Sequence, residues 1–354
     1  AGEIPIYEPG LDEIIKRNVQ NNRLLFTSDI SSSIKNSEVI IIAVGTPQSD
    51  SGEADMQYVY SVVNEIKENL NGYKVICTKS TVPIGTGKKI TNILKNNFKE
   101  NSDFNYVSNP EFLREGSAVK DFLWPDRIFI GTSSLIAYEV MCDVYRPLYI
   151  NKSPINHTSV ETAEMIKYAS NSFLALKISY INEIANLCEL VGADVHDVAS
   201  AMGKDGRISG KFLHPGPGFG GSCFPKDLES LSSISDEYGV QMDTLTAAIT
   251  ANRKQKKQMC NKLEKLVTTG IKDKVIAVLG LSFKANTDDI RESSSIDIIK
   301  YILSKGGHVR AYDPIANDAM SSLFPNISYF QNVYKAIDKA ANTFDDQSKR
   351  HERF

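Results

Sequence analysis

Apolar runs that stop at glycine or proline, with stretches of helical period between them, limit what this chain can fold into more than any other feature. Val39-Ile-Ile-Ile-Ala-Val44 runs into Gly45-Thr46-Pro47, and Lys74-Val-Ile-Cys-Thr78 runs into Ser80-Thr81-Val-Pro83. Runs without polar alternation suit parallel strands covered on both faces. Shorter runs at 106–108 and 127–130 end at Asn109-Pro110 and Gly131, and helical patterns such as 56–70 lie between them. Strand alternating with helix predicts an α/β fold with a doubly wound parallel sheet.

The pattern changes near residue 155. From about Ser159 to Val191 the apolar positions Ile166, Ala169, Phe173, Leu176, Tyr180, Ile184 and Leu187 step by three or four. This predicts one amphipathic helix of about 30 residues, stopped by Gly192. Shorter helices are predicted at 194–202, 226–238 and from 242 onward. Lys274–Leu279 restarts the strand pattern, and a helix (295–305), Gly306-Gly307 and a strand (308–312) complete a βαβ unit. The predicted organisation is an α/β domain over 1–152, an all-helical domain over 153–258 and a second α/β domain over 259–354. Asn342–Phe354 is charged and predicts a frayed tail.

Forty basic and 43 acidic residues leave a net charge of -3 over 354 residues, so no global field points to nucleic acid or membrane. No apolar run approaches the ~18 residues of a transmembrane helix. Cysteines 77, 142, 188, 223 and 260 are odd in number and never in CxxC spacing. They read as reduced thiols of a cytoplasmic protein, without a zinc site. The five histidines show no HExxH, so no metal cluster is predicted.

The glycines of Gly216-Pro-Gly218-Phe-Gly-Gly221 match GxGxxG, but Phe212-Leu213-His-Pro215 before them is no strand. A dinucleotide fingerprint needs that strand and a later acid. The segment reads instead as a glycine loop that lets backbone approach a ligand. In the second βαβ unit Asp313 stands where a ribose-binding acid could, but Gly280-Leu-Ser-Phe283-Lys284 lacks the glycines. Cys223 precedes Pro225 and Lys226, which places it just ahead of a helix N-terminus beside a cation; both lower a thiol pKa. Cys77 and Cys188 lie in apolar patterns and read as core. Lys167 and Asn171 share a helix face off the apolar stripe, which helix geometry alone leaves solvated. Glu111 and Glu115 are four apart and could share a helical face, or be an ordinary acidic helix start. Gly45-Thr46-Pro47 and Ser80-Thr81 follow strand carboxyl ends, where open α/β sheets bind ligands.

These stretches together resemble the UDP-glucose 6-dehydrogenase family, within the nucleotide-sugar 6-dehydrogenases. The resemblance rests on Val44-Gly-Thr-Pro, Lys79-Ser-Thr-Val-Pro-Ile-Gly-Thr, Ser108-Asn-Pro-Glu-Phe-Leu-Arg-Glu-Gly, Lys167-Tyr-Ala-Ser-Asn, Phe219-Gly-Gly-Ser-Cys-Phe-Pro-Lys-Asp and Leu281-Ser-Phe-Lys with Asp289-Ile-Arg-Glu-Ser. Phe212-Leu-His-Pro-Gly-Pro-Gly-Phe looks like the UDP-glucose branch. The GDP-mannose and UDP-N-acetylmannosamine branches differ around the cysteine.

The resemblance implies NAD-dependent, four-electron oxidation of UDP-glucose to UDP-glucuronate. Cys223 would be the nucleophile, forming a thiohemiacetal and then a thioester. Lys167 and Asn171 would face the oxyanion, Asp227 and Thr81 would place water or assist proton transfer, and Glu111 would serve substrate placement and hydrolysis. Cofactor positions would be Gly45, Thr46, Pro47, Ser80, Thr81, Glu115, Lys226 and Arg291. Substrate positions would be Glu111, Phe112, Leu113, Lys167, Asn171, Arg207, Phe212, Leu213, Gly216, Gly218, Phe283 and Lys284. The implied fold is two Rossmann-like domains joined by a helical domain whose long helix also forms a homodimer interface.

The family opens with a strand, a true GxGxxG loop, a helix and a strand ending in an acid, about 40 residues in all, and this sequence starts just after them. Similarity also fades near Lys335–Ala340. Both Rossmann-like domains are therefore expected to be incomplete, with little NAD reduction by these 354 residues. The alternatives are a catalytically silent remnant that binds UDP-sugar, or a related dehydrogenase of UDP-N-acetylmannosamine or GDP-mannose.

Overall fold

A computed structural model describes residues 4–49, 52–151, 154–340 and 342–345. The chain divides into two compact units, Ala1–Ser170 with Glu229–Val240, and Asn171–Leu228 with Gln241–Phe354.

The first unit holds α1 (Leu11–Gln20), α2 (Ile30–Asn36), β1 (Val39–Ile42), α3 (Gln57–Asn69), β2 (Lys74–Thr78), α4 (Thr86–Lys95), β3 (Phe104–Ser108), α5 (Ala118–Leu123), β4 (Ile128–Gly131), α6 (Leu135–Tyr145) and β5 (Ile155–Thr158). The sheet order is β1-β2-β3-β4-β5. Side chains alternate across it, as the period of two requires. Ile42, Ile76 and Phe104 pack with Val59, Val63, Ile90 and Leu94. Val75, Cys77, Val107 and Ile130 pack with Ala137 and Met141 of α6.

Two strands depart from the sequence reading. β2 and β3 are buried throughout, but β1 covers only Val39–Ile42 at the sheet edge, with Ile41 45% exposed. Burial on both faces needs neighbours on both sides, and β1 pairs only with β2 among the described residues. β4 runs antiparallel to β3, joined at Ser108 and Gly131. The chain between them carries only the six-residue α5, about 9 Å of helix, and an antiparallel neighbour needs no long crossover.

The helix α7 (Val160–Val191) is 32 residues long. It ends where predicted, at Gly192 in the left-handed conformation (φ 76°), whose N–H donates to Cys188 O at 2.9 Å. Its burial reverses the expectation. Phe173, Tyr180 and Leu187 of the apolar stripe are exposed, whereas Lys167, Asn171, Ser179 and Asn182 are buried. The covered face is mixed, since Ala163, Tyr168, Ala175, Ile181 and Cys188 are buried as well, and its polar groups find partners: Ser179 Oγ donates to Ala248 O at 3.1 Å, and Asn182 Oδ1 accepts from Gly216 N at 2.8 Å.

Beyond α7 the second unit holds α8 (Val195–Gly203), the start of α9 (Phe224–Glu237), whose remainder from Glu229 belongs to the first unit, then α10 (Asp243–Leu266), β6 (Val275–Leu279), α11 (Ser294–Ser304), β7 (His308–Tyr312), α12 (Asn317–Leu323), β8 (Ser328–Tyr329), α13 (Val333–Ile337) and β9 (Asn342–Asp345). The sheet order is β8-β7-β6-β9, all parallel. Strand order reverses beside β6, the switch point of a doubly wound sheet. Ile276, Val278, Ile298, Ile302 and Val309 form its core with Leu263 of α10. The expected frayed tail is partly a strand, since Asn342–Asp345 pairs with Ile276–Leu279. Four residues are too few for periodicity to reveal. The rest of that tail, 346–354, lies outside the described residues. Among the described residues no helix is long and apolar enough to cross a membrane, and no group of three His, Cys, Asp or Glu could hold a metal ion.

Candidate active site

Cys223 is half-buried immediately before α9, and its carbonyl accepts from Asp227 N at 2.8 Å, the first bond of the helix. Pro225 occupies the first turn, as its missing N–H allows. Ser222 Oγ lies 3.6 Å from the sulfur. By contrast, burial pushes the Cys77 thiol up to about 12, and Cys188 is buried, so both are core thiols as expected. Cys223 therefore joins partial exposure to the positive end of a helix.

The glycines before it serve the chain's own packing. A Cβ at Gly220 would stand 2.2 Å from Glu292 O, and one at Gly221 (φ 86°) 2.7 Å from the Phe283 ring. Gly221 N–H donates to Arg291 O at 2.8 Å. The close backbone approach anticipated toward a ligand is here an approach to the 283–293 loop, which brings Phe283 beside the cysteine loop. Lys284 Nζ sits 5.3 Å from the Phe283 ring centroid. Asp313 is no ready ribose acid: Oδ2 accepts from Leu281 N and Oδ1 from Ile315 N and Ala316 N.

One turn into α9, Asp227 is 1% exposed and uses both oxygens. Oδ2 accepts from Asn171 Nδ2 at 2.6 Å and Oδ1 from Lys226 Nζ at 2.8 Å. The Lys226 ammonium, expected to face the thiol or the cofactor, is thus engaged by its neighbour's carboxylate. Arg207 and Arg291 hold fork contacts with Asp205 and Asp289. Phe212 lies 6.1 Å from Phe224, and Leu213 is buried.

In the first unit, Lys167 Nζ donates to Glu111 Oε1 at 2.8 Å and to Glu111 O at 2.7 Å. This lysine side chain is 4% exposed, which overturns the solvated-face expectation for it, and burial of Asn171 does the same. The Phe112 ring stands 5.5 Å from the same ammonium and 4.6 Å from the Arg127 guanidinium. Residues 109–114 are not helical, and helix begins only at Ala118, so Glu111 and Glu115 share no helical face. Pro110 biases Asn109 toward extended backbone, and the Glu111 carboxylate turns back to accept from Leu113 N.

The loops after β1 and β2, which follow strand carboxyl ends as the sequence suggested, meet. Ser80 Oγ donates to Val44 O at 2.6 Å, and Thr46 Oγ1 to Thr81 O at 2.9 Å. A Cβ on Gly45 would meet nothing within 4 Å. Two residues that the motifs did not single out support this region. Asn109 Oδ1 accepts from Lys79 Nζ at 3.2 Å, and its Nδ2 donates to Phe129 O at 2.7 Å. Glu164 is buried and accepts from Gly85 N at 2.7 Å and Gly87 N at 2.8 Å; burial pushes its carboxyl up to about 7. A polar residue inside a helical pattern gives no sign of what it will face.

Three domain models of one family match in order: the NAD binding domain of the UDP-glucose/GDP-mannose dehydrogenase family over residues 1–149, its central domain over 161–254 and its UDP binding domain over 277–343. The UDP-glucose 6-dehydrogenase TuaD of Bacillus subtilis (strain 168) is 48% identical over 338 residues, 95% of this chain and 72% of that protein. The UDP-glucose 6-dehydrogenase of Rhizobium meliloti (strain 1021) is 46% identical over 342 residues, 96% and 78% of the two chains. A UDP-glucose dehydrogenase structure from Pyrobaculum islandicum superposes with a TM-score of 0.91 at 34% identity, covering 97% of this chain and 79% of that one. Agreement of sequence and fold over nearly the whole length leaves one conclusion: the chain belongs to the UDP-glucose/GDP-mannose dehydrogenase family.

Proposed function

We propose that the protein to which this sequence belongs oxidises UDP-glucose to UDP-glucuronate with NAD, through a covalent intermediate on Cys223. The matched NAD-binding and UDP-binding domain models and the names of the relatives support the reaction. The observation that carries the mechanism is the half-buried thiol at the start of α9, one helical turn before a buried carboxylate.

The residues present fit a dinucleotide at the carboxyl ends of β1 and β2. Hydroxyls of Thr46 and Ser80 lie there, and open space over Gly45 admits a ligand against backbone. Gly45, Thr46, Pro47, Ser80 and Thr81 would hold it, with Glu115, Lys226 and Arg291 as further contacts. When bound, NAD accepts hydride, two molecules serving the two oxidations.

The residues of the chain do the rest. The Cys223 thiolate adds to the sugar aldehyde, giving a thiohemiacetal whose oxidation yields a thioester, and water releases the acid and the thiol. Lys167 and Asn171 donate toward the developing oxyanion. Asp227 and Thr81 orient water or move a proton, and Glu111 serves substrate placement and hydrolysis. Phe112, Leu113, Arg207, the 212–218 loop, Phe283 and Lys284 take the nucleotide sugar. We assign residues 1–152 to cofactor, 259–354 to UDP and 153–258 to the helical link. Five scattered cysteines, never in CxxC spacing, support a reducing, cytoplasmic setting, and the exposed stripe of α7 supports a homodimer.

An NADH-coupled assay across UDP-glucose, UDP-N-acetylmannosamine and GDP-mannose tests the substrate. Cys223→Ser should abolish net acid formation, and Cys77→Ser should leave it within about twofold. Full acid production by Cys223→Ser would remove the thioester route, and preference for another sugar would reassign the substrate.

A further inference from the structure

Between α8 and Cys223 the chain makes a loop whose shape is held by one side chain outside it. Gly203, at its start, and Gly210 pass so closely that a Cβ on Gly203 would stand 2.7 Å from Gly210 Cα. Ser209 and Phe212 both adopt left-handed backbone (φ 64° and 65°) without being glycine. Such conformations persist only where surroundings impose them, and they concentrate at functional segments. The carbonyls of Ile208, Ser209 and Lys211 all point at one spot, where Lys177 Nζ of α7 donates to them at 3.0, 3.0 and 2.6 Å. Three carbonyl oxygens converging on a point repel one another unless donors stand between them. An ammonium carries three donors, the number required.

What this loop carries gives the arrangement its purpose. Arg207 sits beside the clamped carbonyls with its side chain 90% exposed, its guanidinium aimed by a fork contact to Asp205 at 2.6 and 2.9 Å. At the other end Phe212 lies 6.1 Å from Phe224, the residue after Cys223. A loop free to relax its left-handed residues would move both side chains.

We propose that Lys177 is a positioning residue, whose ammonium holds the 204–213 loop in the form that presents Arg207 and Phe212 to the nucleotide sugar. The inference rests on the reading of those two as substrate contacts, and it adds a residue that touches neither substrate nor cofactor. Methionine at this position keeps the length of the stem and removes the donors. Arginine keeps charge and donors.

Two readouts on the full chain test it. The loop carries three trypsin sites, Lys204, Arg207 and Lys211. Lys177→Met should be cut there at least about tenfold faster than wild type, because local opening sets the rate. By calorimetry its Kd for UDP-glucose should rise about tenfold, while its melting temperature stays within a few degrees. Lys177→Arg should restore most of the protection and the affinity. Unchanged cleavage in Lys177→Met would overturn the clamp. Faster cleavage with unchanged UDP-glucose affinity would overturn its role in presentation. Absence of UDP-glucose binding by wild type would overturn the substrate reading itself, a result distinct from either.

Discussion

Asp227 divides its two oxygens between an amide and an ammonium while nearly inaccessible to water. A buried carboxylate is tolerated only while its acceptor sites are met. Asn171→Leu keeps the volume and removes the amide, leaving Oδ2 without that donor. The expected loss is about 1–3 kcal/mol in denaturant unfolding, against roughly 0.5 kcal/mol for an exposed site. A loss below that smaller figure would show that Asp227 finds a replacement. At this scale Cys223, Lys167, Asn171 and Asp227 could be picked out as candidates, because they lie within short motifs. Their pairings were not. Lys226 faces Asp227 and Lys167 faces Glu111 because of rotamers and approaches that spacing does not encode.

Among the elements, α4 and the first turns of α7 are joined by Glu164, which accepts two N–H groups at the start of α4. Its carboxyl is raised from the ordinary 4.5 to about 7, burial outweighing those two bonds. The unfolded chain therefore loses this proton at lower pH than the folded one, so folding favours the protonated form. The stabilisation is complete below pH 4.5 and disappears as pH rises through about 7. It amounts to about 3 kcal/mol at most. Glu164→Gln should flatten the fall in melting temperature between about pH 5 and about pH 8, and an unchanged slope would exclude Glu164 as its source. The buried strands β2 and β3, the long helix and its glycine stop could be read from period and punctuation. The edge position of β1, the reversed β4 and the short β9 could not, since neighbours remote in sequence decide them.

For the whole molecule the decisive surface is the outer side of α7. Phe173, Tyr180, Leu187 and Leu190 leave a line of large apolar groups partly in water, each forfeiting about 1–2 kcal/mol of burial. A second copy of this chain, laid helix against helix, would recover it. Tyr180→Asp with Leu187→Glu should weaken such a dimer by more than about a hundredfold, halving the mass seen by light scattering. A wild-type chain of 39.2 kDa in solution would dispose of the dimer. Period showed that this helix had an apolar side. It did not show that much of this stripe would be the outer side, because a period of 3.6 marks an arc and says nothing about its cover. The crossing of Gly220 over the Glu292 carbonyl has a further reach. Any change in the first two bases of a glycine codon either ends the message or installs a Cβ there, 2.2 Å from that oxygen. Inheritance at this point is therefore free only in the third base, and every other single-base change reaches the cysteine loop as a displaced backbone.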